Sequence, residues 1–296
     1  MKTIITILLI QFCGGLFSQI LENTEGQTFG EKPNFVEDFV RRNKIKTIKG
    51  TFSTKAPMDY IRPNDDVYLY KFNQSGELIL EYKTQLGDTL VTIYLYDDRG
   101  NLTVLRKSDQ YGFHSYHYKY DALNRIIYSE YRRDTNRGQD KLSFEPDQST
   151  IVSTETFEYI ELEGKNYKKI YYNNTGNIYK EEFFYFDENN YLIRQEGILK
   201  TGSGRTNITY TYDEKGRLLE KYSESFVMGN YTSKYVYEYD EFGNILSLKY
   251  YRNGEYITEY QIMYYPETLL LLGIITRDHA TNFMTILSFK EYVYFD

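Results

Sequence analysis

The chain has 296 residues, a formal charge of −7, one cysteine, no tryptophan and 34 tyrosines. An acidic balance speaks for solubility and against general nucleic-acid binding. The one cysteine is Cys13, so without the leader described next the chain has no disulfide, thiolate nucleophile or cysteine metal site.

Lys2, an apolar run from Ile4 to Phe12, and Gly14, Gly15 and Ser18 just before Gln19 read as a signal peptide over residues 1–18. The run is too short for a bilayer span of roughly 20 residues. Cleavage is expected after Ser18, which removes Lys2 and leaves a charge of −8 and an extracytoplasmic protein. The competing reading makes Cys13 a lipidated N-terminus, against which stands the bulky Phe12 before it. Beyond the signal no apolar run approaches membrane length: LLLLGII (Leu269 to Ile275) is only strand-sized, and no transmembrane segment is expected. The 278 residues from Gln19 to Asp296 suffice for a large core.

Residues 19–62 read as an N-terminal cap. Within them NFVEDFVRRN (Asn34 to Asn43) predicts a short amphipathic helix, with Asn34 as N-cap and Glu37 at the capping-box position. Pro33 and Pro57, with Pro63 just beyond, mark this stretch as less regular, and its expected role is to cover the first sheet edge. Arg41, Arg42, Lys44, Lys46 and Lys49 form a local basic cluster, read as a solvated helix end rather than a site for an anionic glycan or lipid headgroup.

From residue 63 to 296 a phrase recurs. It stands as YKFNQSGEL (Tyr70 to Leu78), YLYDDRGNL (Tyr94 to Leu102), YKYDALNRI (Tyr118 to Ile126), FYFDENNYL (Phe184 to Leu192), YTYDEKGRL (Tyr210 to Leu218) and YEYDEFGNI (Tyr237 to Ile245). Aromatics two apart lie on one face of a strand, and the residues between them, such as Lys71, Lys119, Thr211 and Glu238, make the other face wetter. The Asp starts a hairpin by accepting backbone N–H bonds, and the Gly or Asn three positions on supplies positive φ. Asn124 and Asn190 fill that slot because Asn tolerates it better than other side chains. Second turn signals fall between copies, and degraded copies lie at Phe144 to Thr150, Tyr172 to Ile178 and Tyr265 to Leu271. The N-x-S/T triplets at Asn73, Asn101, Asn173, Asn207 and Asn230 read as turn chemistry.

Some 17 turns imply roughly 18 strands, more than an open twisted sheet sustains. The fold class is therefore all-β: a long antiparallel meander, strongly coiled into an open barrel or trough around stacked tyrosines, with a short N-terminal capping helix.

The phrase resembles the YD repeats of the Rhs family, seen also in bacterial toxin-complex shells and teneurins. The resemblance spans about residues 66–271 and implies hairpins that spiral into a hollow β-shell, which in several members encloses a toxin segment or bears surface-recognition activity. This chain has fewer than ten copies and only some 25 residues after the last one, without a separate effector domain, so toxin encapsulation does not carry over. The N-G hairpin YYRNGEYI (Tyr250 to Ile257) also resembles MORN-type repeats, another non-catalytic β-array.

Chemistry-bearing residues are sparse. His114 and His117 are three apart on a strand, hence on opposite faces, and His279 is remote in sequence. The repeated Asp97, Asp121, Asp187, Asp213 and Asp240 read as turn caps, because like turns roughly 9–10 Å apart cannot share a calcium ion. There is no G-x-S-x-G, H-E-x-x-H or phosphate loop, and Gly202-Ser203-Gly204 is only a turn. The tyrosines could offer a sugar-stacking platform, but their register turns the paired rings inward, toward a core. No residue reaches a catalytic, cofactor-binding or metal-binding assignment, and no cofactor is expected. The leading reading is an exported, non-catalytic binding or scaffold module of the bacterial envelope, partnered by an envelope polysaccharide or another envelope protein. The alternatives are a carbohydrate-active enzyme with a hidden carboxylate pair, and a small partner or immunity component of a toxin system. As a core truncation, Tyr120→Ala is expected to cost roughly 3–5 kcal/mol, checked by thermal denaturation.

Overall fold

The computed structural model describes residues 19–28, 34–85, 87–138 and 140–296; the expected signal peptide, with Cys13, lies outside them. Helix α1 (Glu37–Arg42) leads into β1 (Ile45–Lys55), β2 (Arg62–Phe72), β3 (Leu78–Gln85), β4 (Asp88–Tyr96), β5 (Leu102–Ser108) and β6 (Phe113–Tyr120). There follow β7 (Ile126–Asn136), β8 (Pro146–Glu161), β9 (Tyr167–Tyr172), β10 (Ile178–Phe186), β11 (Leu192–Leu199) and β12 (Arg205–Tyr212). The last six are β13 (Leu218–Ser225), β14 (Tyr231–Tyr239), β15 (Ile245–Arg252), β16 (Glu255–Tyr264), β17 (Leu271–Asp278) and β18 (Met284–Tyr294).

Each strand pairs antiparallel with its sequence neighbours, and β1 pairs with both β2 and β18, so that Phe52 faces Leu287 and Ile48 faces Tyr70. The expected all-β meander thus coils into a barrel, and the β1–β18 ladder carries it to full closure. Closure removes both sheet edges. The first edge that the cap segment was expected to cover does not exist, and β1 itself lies within residues 19–62.

The hairpins form for the local reasons legible in the phrase. In the turn after β4, the Asp97 Oδ1 accepts the N–H groups of Arg99 and Asn101, both at 2.9 Å, and Gly100 takes φ +79°. Asp121, Asp187 and Asp213 accept from the residues two and four positions on in the same way, and Asn73 does so in place of Asp. In four of the phrase turns the second oxygen is also used: Asn101, Arg125, Arg217 and Asn244 bond back to Asp97, Asp121, Asp213 and Asp240, which explains the polar residue after the glycine slot there. The Asn101 side chain first, and the backbone N–H of Arg125 in the other turn, hold the Asp97 and Asp121 carboxyls below the usual aspartate range.

Two of the weak copies depart from expectation. Phe144 to Thr150 makes no phrase turn, because β8 starts at Pro146 and runs on as one strand to Glu161. The Asn173 turn is real, with Oδ1 accepting from Thr175 and Asn177, but it joins β9 to β10 and so lies on the opposite rim from the turns after β2, β4, β6, β10, β12 and β14. That half-repeat shift is the irregular phase between residues 148 and 190.

The N-terminal segment enters the barrel mouth at the rim of the phrase turns. Leu21 bridges Phe35, the Val36 N–H reaches the Ile20 carbonyl at 3.0 Å, and Ile20, Leu21, Phe35, Val36, Phe39 and Val40 are buried against Tyr70, Phe72, Tyr94, Ile245, Leu271 and Phe289. Each such side chain contributes roughly 1.5–3 kcal/mol of hydrophobic stabilisation. Helix α1 begins later than predicted, at Glu37; its N-cap is Val36 without a side-chain bond, because Asn34 lines the barrel interior instead.

The segment is seated closely on the turns, and a Cβ on Gly76 would collide with the Glu37 carbonyl in α1. At Gly100 the nearest atom to such a Cβ is a flexible Glu77 oxygen at 3.3 Å. Gly100→Ala is therefore expected to cost roughly 1–2 kcal/mol from its positive φ alone, and Gly76→Ala clearly more, because the plug must move. Urea denaturation of the two variants checks the order, and equal midpoints would contradict it.

Candidate functional site

The two faces of the wall differ sharply. Inward, the first ring of four of the six phrases is deeply buried (Tyr70, Tyr94, Tyr210 and Tyr237, with Tyr94 1% and Tyr237 2% exposed), Tyr118 and Phe184 are half-buried, and Leu95, between paired rings, is 43% exposed. The second ring does something further. Its hydroxyl donates to the carbonyl of the Leu or Ile that ends the preceding copy: Tyr96 to Leu78, Tyr120 to Leu102, Tyr212 to Leu192, Tyr239 to Leu218, Tyr264 to Ile245 and Tyr292 to Leu271, all at 2.6–3.0 Å. A bulge separates each of these carbonyls from the regular ladder, so the phenol satisfies a group that the sheet leaves over. Phe186 has no hydroxyl to donate, and its ring stacks on Tyr167 at the start of β9 with centroids 6.0 Å apart.

Eighteen strands enclose more space than these side chains fill. A cavity of about 760 Å³ remains in the lumen. Tyr118 and Tyr120 of β6 look onto it from one side, and Tyr235 and Tyr237 of β14, Tyr250 of β15 and Tyr260 of β16 from the other. Leu102, Ile126 and Leu248 complete the apolar wall, Gly26, Gln27, Thr28 and Asn34 of the N-terminal segment border it, and among the described residues Lys221 of β13 is the charged side chain in its lining. Tyr235 and Tyr250 stack with centroids 4.9 Å apart at 29°. Core and platform, opposed in the sequence reading, are combined: the rings point inward, and some of them line a cavity. Tyr120 is half-buried there and its hydroxyl pKa is raised to about 12, by burial first and by Asp97 second.

Lys221 lies across the ladder from Tyr210 and Tyr235, and its Nζ donates to the Glu25 carbonyl at 3.0 Å. Burial lowers the pKa of Lys221 and raises that of Glu25, while the attraction between the two charges opposes both shifts. Sequence reasoning passed over Lys221. The available signal was strand parity: it sits on the inward register of a strand whose partners present tyrosines.

The other sequence candidates disperse. His114 bonds Tyr131 at 2.8 Å and Asp109 at 3.2 Å, while His117 lies on the opposite face beside Arg106, Arg132 and Glu130, where burial lowers its pKa. His279 packs on Tyr256 with ring centroids 4.4 Å apart. The basic cluster is divided: Arg41 and Arg42 pair with Asp38, Lys49 pairs with Glu291 at 3.0 Å, Lys46 lies over Phe295, and the Lys44 carbonyl accepts the Phe295 N–H. Inward carboxylates are engaged by phenols, Glu81 by Tyr68 and Tyr94, Glu155 by Tyr179, and Glu182 by Tyr171.

Outward, β9 to β15 carry cross-strand ion pairs, including Lys168 with Glu181, Glu181 with Lys200, Lys234 with Glu220 and Lys249 with Glu238. Leu80, Ile93 and Leu95 make the arc of β3 to β5 more apolar, but Lys71 and Lys119 stand exposed beside it. A lipid-facing barrel needs an unbroken apolar band about 25 Å tall. This arc of ion pairs suits water.

No family model matches the chain, and no curated protein does. Among solved structures it is similar to a porin-like protein from Bacteroides uniformis ATCC 8492, 12% identical over 84% of this chain and 97% of that one with a TM-score of 0.36. A porin-like protein from Bacteroides vulgatus ATCC 8482 is 10% identical over 83% and 97%, also with a TM-score of 0.36. A LolA superfamily protein from Nitrosomonas europaea is 10% identical over 88% and 92%, with a TM-score of 0.18.

The phenols give a test of the wall. The Tyr237 hydroxyl is buried and makes no hydrogen bond of normal geometry, whereas that of Tyr96 satisfies the Leu78 carbonyl. Tyr96→Phe should cost about 0.5–1.5 kcal/mol and Tyr237→Phe nothing, or even stabilise, in chemical denaturation. The reverse order would show that the phenol-to-carbonyl bonds do not hold the turns. For Tyr120→Ala the larger core-truncation cost falls to roughly 1–3 kcal/mol, since the ring walls a cavity and part of it is already exposed.

Proposed function

We propose that this protein is an exported, YD-repeat-like binding module of the bacterial envelope that holds a polysaccharide strand in its lumen and does no covalent chemistry on it. The observation that carries this reading is the tyrosine-lined cavity inside a barrel whose outer wall bears ion pairs. Tyrosine offers a ring face for the apolar side of a sugar and a hydroxyl for its polar edge. Small-molecule sites favour such concave, mostly apolar linings with a few polar groups. Among the described residues lining the cavity none is Asp or Glu, so the paired carboxylates that glycoside hydrolysis uses are not at hand there.

With no tryptophan in the chain, tyrosine emission reports directly on the wall. Purified fragments of envelope polysaccharide are expected to change that emission and to bind in titration calorimetry without being cleaved. The double variant Tyr235→Ala with Tyr250→Ala should weaken binding by about tenfold or more through loss of the stacked pair. A folded barrel that binds none of the fragments, or that hydrolyses one, would overturn the proposal.

A further inference from the structure

We infer that the lumen ligand is an acidic saccharide and that Lys221 is the residue that recognises its anionic group, an assignment that rests on the lumen-binding reading above. Among the described residues that line the cavity one is charged, and it is a cation. An ammonium carries three donors. Among the described residues that of Lys221 has one acceptor, the Glu25 carbonyl, and it makes no ion pair with the Glu25 carboxylate. Its stem and the Tyr237 hydroxyl converge at Gly26, each 2.8 Å from where a Cβ on that residue would stand, so a phenol lies beside the lysine stem.

Lys221 also lies over a ring, that of Tyr210 at 5.6 Å, so the neighbouring inward cations differ from it in their carboxylate partners. Lys180 pairs with Glu182, Arg133 with Asp109, and Lys169 lies over the rings of Phe157 and Tyr171 with Glu182 across the ladder. The Glu25 charge offsets part of the cost of burying this ammonium without forming an ion pair with it, and an incoming anion on the unfilled donors stabilises it further. A neutral polysaccharide would stack on the tyrosines but leave that cost in place. Carboxylate and phosphate ester share the required chemistry.

The test compares short oligogalacturonate with its methyl ester, and a phosphorylated oligosaccharide with its dephosphorylated form, on the whole mature chain by calorimetry. At least one acid is expected to bind roughly 10- to 100-fold more tightly than its neutral counterpart, and which one does so separates the two sources. Lys221→Met should remove that preference while leaving the neutral affinity as it was, and Lys221→Arg should keep it. A merely structural lysine would lower acidic and neutral affinities together. Equal binding of acid and neutral forms by the wild-type chain, or a preference that survives Lys221→Met, overturns the inference and leaves lumen binding standing. Failure of every saccharide to bind overturns both.

Discussion

Once eighteen strands are joined edge to edge, the circle they make is too wide for inward side chains to meet across it, and nearly everything distinctive about this molecule answers that geometric fact. Small barrels fill their centres with side chains from opposite walls. Here the wall has to be stiffened from within and one mouth filled by separate chain. Large inward tyrosines do the first, and residues 19–28 and 34–43 do the second.

The phenol-to-carbonyl bonds show how the wall is stiffened. Each hairpin has a bulge next to its phrase turn, which frees a carbonyl of the closing Leu or Ile, and the second tyrosine of the next copy caps it. A ring that only had to be apolar could be phenylalanine. One that must also bond to the preceding hairpin has to be tyrosine, as at Tyr96, Tyr120, Tyr212, Tyr239, Tyr264 and Tyr292. The same side chains then give the lumen its mixed character, since rings that stiffen the wall also face whatever enters it. Architecture and binding surface are therefore made from one set of residues.

Legibility followed the range of the interaction. Asp97 with Gly100, and Asp121 with Asn124, could be read as turns because donor, acceptor and positive φ all lie within five residues. Strand number and the inward sense of the paired rings were equally readable from counting and parity. Asn34 was misassigned because a capping box is a local pattern, and here the side chain serves the cavity instead. The copy at Phe144 failed for a related reason: its residues match the phrase in part, but Phe144 packs on Phe113 and the chain beyond it extends as β8. Lys221 was invisible as a candidate because nothing beside it in the chain marks it. Its significance comes from Tyr235 and Tyr250 across the sheet, and from Glu25, which is 196 residues away in the chain.

Alone, the amino-acid sequence determined the hairpin unit, its tyrosine face, its acid-to-glycine corners and the approximate number of strands, since each depends on contacts between residues close along the chain. Closure was decided only in three dimensions, because it turns on whether β18 returns within hydrogen-bonding reach of β1 after the twist of every strand between has accumulated. The plug, the cavity and the cation on its wall follow from that closure. They exist only when residues far apart in sequence are brought around one axis, and no local pattern encodes that meeting.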